Sequence, residues 1–206
     1  GSPLFRTRNL NVDNSNCGFD ANARGFAGGT YPWGAGYGPG VGAGAGYGGA
    51  GYNGAAYGSS NAPIDPGSGA TGQANHKGPT GGGLIRIEVS EDARILGKLT
   101  ANGTGSPLAN DFGSSGGGIN LRCKTLSGSS TAQLLANGGS GWYYSGGGRI
   151  AVWRARDGAG GPFGQYTGFA TNSVMTNGWG GAGNATNGTV VYGMLPLLRG
   201  TFDMCW

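Results

Sequence analysis

Three glycine triplets, Gly81-Gly82-Gly83, Gly116-Gly117-Gly118 and Gly146-Gly147-Gly148, each open onto a short aliphatic run. The first leads into Leu84-Ile85-Arg86-Ile87-Glu88-Val89 and the second into Ile119-Asn120-Leu121-Arg122-Cys123-Lys124, while the third leads through Arg149 into Ile150-Ala151-Val152-Trp153. Two of these units close on one tripeptide, Ala101-Asn102-Gly103 and Ala136-Asn137-Gly138. The first two triplets and the two closing asparagines are each 35 residues apart, and the third triplet follows 30 residues later. Self-similarity at such a period is the signature of a solenoid, in which each repeat buries its apolar face only by stacking on its neighbours.

Within each unit the apolar residues alternate. Ile85, Ile87 and Val89 share one face, as do Ile119, Leu121 and Cys123, and Ile150 and Val152, while Arg86, Glu88, Asn120, Arg122, Lys124, Ala151 and Trp153 fall on the other. That period of two predicts half-buried strands, which stack in parallel with like residues in columns. At the closing tripeptides Asn and Gly suit a sharp corner in the left-handed backbone region, and the Asn side chain can bond to the backbone of the next turn. The fold expected is all-β, a right-handed parallel β-helix or solenoid in one domain. Residues 1–25 form its first coil, because Leu10-Asn11-Val12 alternates and Asp20-Ala21-Asn22-Ala23 matches Thr100-Ala101-Asn102-Gly103. Residues 26–80 are an insertion and loop, and residues 81–206 hold the main coils and an apolar C-terminus. After Trp153 two registers compete, one through Asn172 and one through Thr176-Asn177-Gly178.

The insertion carries no charge from Gly25 to Ile64, and 14 glycines between Phe26 and Ser60 alternate with Tyr31, Trp33, Tyr37, Tyr47, Tyr52 and Tyr57. A flexible linker has no use for six large aromatics, so the segment is expected to pack on the solenoid or on a neighbouring molecule. Glycine makes up 50 of the 206 residues, but without the every-third period of collagen. Charged residues are only 11%, which also departs from the usual composition of disorder. No apolar run is long enough to cross a membrane as a helix.

The order of these motifs resembles a glycine-rich parallel β-helix repeat found in very large secreted or surface proteins of bacteria. The matching stretches are Gly28–Tyr57, Gly81–Val89, Thr100–Gly103, Gly116–Cys123, Leu135–Gly139 and Gly146–Val152. The resemblance implies a structural, extracellular or cell-surface protein, and it supplies no catalytic residues to carry over.

Function is read from the surface and the ends. No amphipathic helical stretch is available to cap a solenoid end, and apolar residues sit at both: Leu4, Phe5, Leu10 and Val12 at one, and Phe202, Met204, Cys205 and Trp206 at the other. Uncapped ends that repeat each other's geometry associate head to tail, so the first expectation is a self-assembling filament or surface-layer subunit whose partner is itself. Cys17 and Cys205 can pair within the chain, pair between subunits or stay reduced, and Cys123 reads as a core residue. A second expectation is an adhesin module for glycans or a surface, using Trp142, Tyr143, Tyr144, Trp153 and Trp179 as stacking faces.

An enzyme acting on polysaccharides would need converging carboxylates. Of the nine acids only Glu91 and Asp92 adjoin, so no catalytic residue, metal site or cofactor is assigned. Arg122, Lys124, Arg149, Arg154 and Arg156 could form a basic strip, but outward strand positions need polar residues anyway, and no nucleic acid is assigned as partner. Sole His76 reads as a solvated loop residue. Asn102, Asn184 and Asn187 stand in formal N-glycosylation sequences.

Overall fold

The computed structural model describes residues 2–106, 112–155, 174–180 and 185–195. Among these there is no helix. The chain makes successive passes, each laying strands into three sheets. The first pass gives β1 (Leu4–Thr7), β2 (Leu10–Val12) and β3 (Gly18–Asp20), and the second β4 (Leu84–Val89), β5 (Asp92–Ile95) and β6 (Lys98–Thr100). The third gives β7 (Gly118–Cys123), β8 (Thr125–Gly128) and β9 (Gln133–Leu135). β10 (Arg149–Ala155), β11 (Val174–Met175) and β12 (Thr189–Leu195) follow. The sheets are ordered β1-β4-β7-β10-β12, β2-β5-β8 and β11-β9-β6-β3, and every neighbouring pair runs parallel. The protein is all-β with parallel sheets.

The register puts like residues in columns. Ile85, Ile119, Ile150 and Val190 form one, and Phe5, Ile87, Leu121, Val152 and Tyr192 the next. Val12 lies opposite Ile95 in the second sheet, and Phe19, Leu99, Leu134 and Val174 line up in the third. These columns face a shared interior, where all of their residues but the exposed Phe5 form one apolar cluster with Ala93, Ala101, Leu126 and Ala136. Each buried aliphatic side chain contributes roughly 1.5–3 kcal/mol of transfer free energy, so stacked columns of them are a sufficient core.

The glycine triplets and the Ala-Asn-Gly corners turn out to be two halves of one contact. The carbonyls of Ala21, Ala101, Ala136 and Thr176, each one residue before a corner Asn, accept from the N–H groups of Gly83, Gly117, Gly148 and Gly188. The distances are 2.6–2.7 Å. A Cβ on Gly82, Gly116 or Gly147 would sit 2.0, 2.1 or 1.8 Å from the carbonyl oxygen of Ala101, Ala136 or Thr176, so only glycine fits there. The corner asparagines form a ladder: Asn22 Oδ1 accepts from the Asn102 N–H at 2.7 Å, Asn102 Oδ1 from Asn137 and Asn137 Oδ1 from Asn177, both at 2.8 Å. The register through Asn177 is therefore the one adopted, and Asn172 lies outside the described residues. At the start of the ladder the Asn22 N–H is taken by Asp20 Oδ1 at 2.8 Å.

One expectation is corrected here. Asn102, Gly103, Asn137 and Gly138 do not adopt a positive φ; at these corners only Ala23 does, at 54°. Glycine is needed at 103 and 138 for room, since a Cβ would lie 2.4 Å from the Ser115 carbonyl oxygen or 2.5 Å from Ser145 Oγ.

The insertion packs on the chain that carries it. Gly25, Phe26 and Gly29 donate to the carbonyls of Gly81, Gly67 and Ala70, and Ala70 donates in turn to Pro79. Ala45 donates to Gly113 and Gly146 donates to Ala45, which ties the insertion to the later passes. These segments lie outside the twelve strands and come so close that a Cβ on Gly28, Gly69 or Gly81 would be 1.9–2.1 Å from a neighbouring carbonyl oxygen. The glycine content is thus a packing requirement.

Gly117→Ala should lower stability by on the order of 3 kcal/mol, because its Cβ would meet the Gly83 carbonyl oxygen at 1.9 Å and backbone cannot swing away. Among the described residues a Cβ on Gly180 meets only Ala185 Cβ at 3.9 Å, so Gly180→Ala should stay within about 0.5 kcal/mol of the parent. Urea unfolding of both variants checks the contrast.

Candidate functional site

The outer face of the first sheet is where polar chemistry concentrates. On it the register places Leu4, Arg86, Asn120, Ala151 and Val191 in one row and Arg6, Glu88, Arg122, Trp153 and Gly193 in the next. The alternation predicts Arg86, Glu88, Asn120, Arg122, Ala151 and Trp153 as outward positions, which they are, but two of these six are buried. Asn120 is 8% exposed and Ala151 fully covered, because the insertion lies over them. Asn120 Nδ2 donates to the Pro63 carbonyl at 3.4 Å. Trp153 Nε1 donates to the Asn61 carbonyl at 2.7 Å, and its ring lies where a side chain on Gly193 would stand.

Arg149 anchors the covered end of this face. It is 7% exposed, donates through Nε to the Tyr57 carbonyl at 2.8 Å and through Nη1 to Thr189 Oγ1 at 3.0 Å, and its guanidinium carbon lies 5.5 Å from the Tyr47 ring centre. Tyr47 and Tyr57 stack at 4.7 Å, and Ser68 Oγ donates to the Tyr57 hydroxyl. Burial pushes both phenols well above the usual tyrosine range.

The six insertion aromatics divide into two groups. Tyr47, Tyr52 and Tyr57 pack on the chain, Tyr52 against Tyr143 at 4.6 Å and Tyr144 at 5.5 Å. Tyr31, Trp33 and Tyr37 remain 61%, 58% and 58% exposed. Of the stacking faces expected from the sequence, Tyr143 also packs on Phe112, Trp153 covers Gly193, and Trp142 and Trp179 are about half exposed, with Trp179 Nε1 donating to the Gly141 carbonyl.

The basic residues do not act as one strip. Lys124 pairs with Glu91 at 2.6 Å, Arg149 is buried, Arg122 is exposed and Arg156 lies outside the described residues. Of the acids, Glu88 pairs with Arg6 at 2.9 Å, Asp13 lies 4.0 Å from Arg94, and Asp92 accepts from Thr125. Among the described residues no group of three His, Cys, Asp or Glu converges as metal ligands would. Asn102 is held in the corner ladder, Asn187 Oδ1 accepts from the Gly178 N–H, and Asn184 lies outside the described residues. His76 Nδ1 is 3.3 Å from the Lys77 carbonyl oxygen.

At the first-pass edge Val12 is a core residue, Leu4 and Leu10 are half-buried, and Phe5 is 45% exposed with its ring 5.2 Å from that of Phe19. Phe202, Met204, Cys205 and Trp206 lie outside the described residues, so the pairing of Cys17 with Cys205 does too. Cys17 itself is exposed and has no disulfide partner among the described residues. No helix among the described residues is long and apolar enough to cross a membrane.

The sequence missed the cleft beside this face. It is about 170 Å³ and is lined by Leu4 and Ile64 together with Arg86, Glu88, Asn120 and Arg122. The outward phase of those four polar residues was readable, but the rim supplied by the insertion was not. Comparison with protein-family models, curated proteins and solved structures finds no match for the chain.

Burial pushes the Cys123 thiol from an ordinary value of 9.0 up to about 12, the strongest cause being desolvation. The folded state holds that proton, and those of Tyr47 and Tyr57, where the unfolded chain would release them. Stability is therefore fully present below about 9 and falls as the pH rises toward about 12. The urea midpoint should be flat from neutrality to about 9 and decline above it, and a flat profile across this window would contradict the burial. Iodoacetamide at neutral pH should modify Cys17 and spare Cys123 until the chain is unfolded, as read by peptide mass spectrometry.

Proposed function

We propose that the three parallel sheets are the faces of a right-handed β-solenoid of the glycine-rich kind seen in large bacterial surface and secreted proteins, and that the chain is an extracellular structural building block. Right-handed crossovers are the strong default for parallel strands. In this reading the protein is not an enzyme. Its partner is a second copy, which adds strands in parallel to the edge formed by β1, β2 and β3.

The observation that carries the reading is Phe5. It occupies the same column as Ile87, Leu121 and Val152, yet stands 45% exposed on a strand at the edge of its sheet. An apolar column that meets solvent beside backbone paired by no described strand is a surface another set of strands can cover. The corner ladder contributes less to such a contact, because Asp20 already satisfies the Asn22 N–H.

A second reading, an adhesin module for a glycan or another surface, is favoured by Tyr31, Trp33 and Tyr37. These three exposed aromatics fall within one short stretch, next to a turn in which the Gly34 N–H donates to the Thr30 carbonyl at 2.7 Å.

Light scattering across a concentration series tests the first reading. Growth in mass should appear in the parent and be abolished by Phe5→Lys, while Phe5→Leu should retain it. A half-exposed side chain can be replaced with little loss of fold, so the melting temperature should move only a few degrees. A parent that stays monomeric at every concentration would sink the assembly reading.

A further inference from the structure

The cleft at the rim of the insertion has the polar complement of a binding site. Arg86 and Asn120 are register partners on β4 and β7, and Glu88 and Arg122 are the next outward pair, so the four residues occupy a two-by-two patch on adjacent strands. Adjacent strands lie about 4.8 Å apart, which puts all four within reach of one small molecule. Leu4 bounds the patch on the β1 side, and Ile64, exposed at the tip of the Ala62–Ile64 segment, bounds it from above.

The charges at this patch are unevenly used. Glu88 is paired with Arg6. Arg86 and Arg122 have no ion pair or hydrogen-bond partner among the described residues. Asn120 is more than nine-tenths buried; its Nδ2 is used by Pro63, and its Oδ1, just beneath the surface and shut off from solvent, has no partner among the described residues. A buried acceptor left without a donor costs on the order of 1–3 kcal/mol, so a ligand O–H supplied there is rewarded. Two unpaired guanidiniums beside it call for a carboxylate, which they can hold with charge-assisted bonds. A volume of 170 Å³ is close to the roughly 150 Å³ cavity that holds a single benzene, which limits an occupant to about the size of one six-membered ring.

We propose that this cleft binds one acidic sugar unit, a pyranose bearing a carboxylate such as a hexuronate. The carboxylate lies between Arg86 and Arg122. A ring hydroxyl donates to Asn120 Oδ1, and an apolar C–H face of the ring rests on Ile64. This assignment does not depend on assembly through the β1 edge. It names a residue set separate from Tyr31, Trp33 and Tyr37.

The experiment is titration of the whole chain with galacturonate and glucuronate by saturation-transfer NMR and calorimetry, with galactose, acetate and phosphate as controls. At least one uronate should bind saturably, about tenfold or more tighter than galactose, and tighter than acetate. Arg86→Gln and Arg122→Gln should each weaken uronate binding by about tenfold, and galactose should be unaffected. Arg122 is exposed and Arg86 half-buried, so an unchanged melting curve separates loss of binding from loss of fold. Asn120→Leu, which removes the open acceptor, should reduce the preference for uronate over acetate. Acetate or phosphate binding as tightly as uronate would mean a simple anion site and overturn the proposal. Uronate binding that survives both arginine substitutions, or none at all in the parent, would overturn it as well.

Discussion

The contact between each corner carbonyl and a glycine of the following pass holds the stack in register. A parallel stack has no hairpin turn to fix how one pass sits on the next, and slipping by one residue would turn every interior side chain outward. Here Ala101, Ala136 and Thr176 each offer a carbonyl oxygen at the corner, and the triplet glycines approach it closely enough that no side chain is tolerated. The asparagine ladder then adds a side-chain bond per pass, worth about 1 kcal/mol each where shielded. With register fixed at the corner, the isoleucine and leucine columns of the interior align without further help. The triplet and the tripeptide look like separate motifs in the sequence because their two halves are brought together only by the turn of the chain.

The insertion applies the same physics outside the core. Its glycines let backbone bond to backbone at distances that exclude side chains, so it forms a layer with few apolar side chains of its own. The layer is secured by the tyrosines that point back toward the sheets. Tyr47 and Tyr57 meet Arg149, a buried cation that donates to two neutral oxygens and lies over an aromatic ring. Such an arrangement offsets desolvation without a paired carboxylate, at the cost of tying Arg149 to the exact placement of Tyr57.

Much of this was legible in the residues. The alternation of Ile85, Ile87 and Val89 against Arg86 and Glu88 states which face is interior, and the recurrence of Asn102 at Asn137 states that passes stack. The match of Asp20-Ala21-Asn22-Ala23 to a later corner located the first pass across the insertion and loop of residues 26–80. Other features were not legible, for a common physical reason: they depend on what covers a strand from outside. Period-two patterning distinguishes inward from outward positions but cannot separate outward-exposed from outward-covered. Asn120, Ala151 and Arg149 were therefore readable as outward and unreadable as buried. The reason for glycine at 103 and 138 was also hidden, because crowding by Ser115 and Ser145 is a tertiary fact, whereas left-handed φ is a local preference.

The same boundary between covered and uncovered explains why the Asn120 amide is left with an unused acceptor. Over the third and fourth passes the insertion meets outward residues that suit it: Ala151 is small, and Trp153 and Arg149 find carbonyl partners in Asn61 and Tyr57. One strand away, at β4, the outward residues are Arg86 and Glu88, which need water or a counter-charge, and the insertion ends its cover at Ile64. Asn120 lies between these two regimes. One end of its amide bonds to Pro63 of the insertion, and the other, shut off from solvent, has no hydrogen-bond partner among the described residues. A chain selected only to pack would be better served by an apolar residue at 120, as Ala151 serves one pass later. An amide kept there, beside two guanidiniums that no described residue pairs, has a physical rationale once something from outside supplies both a hydroxyl and a carboxylate.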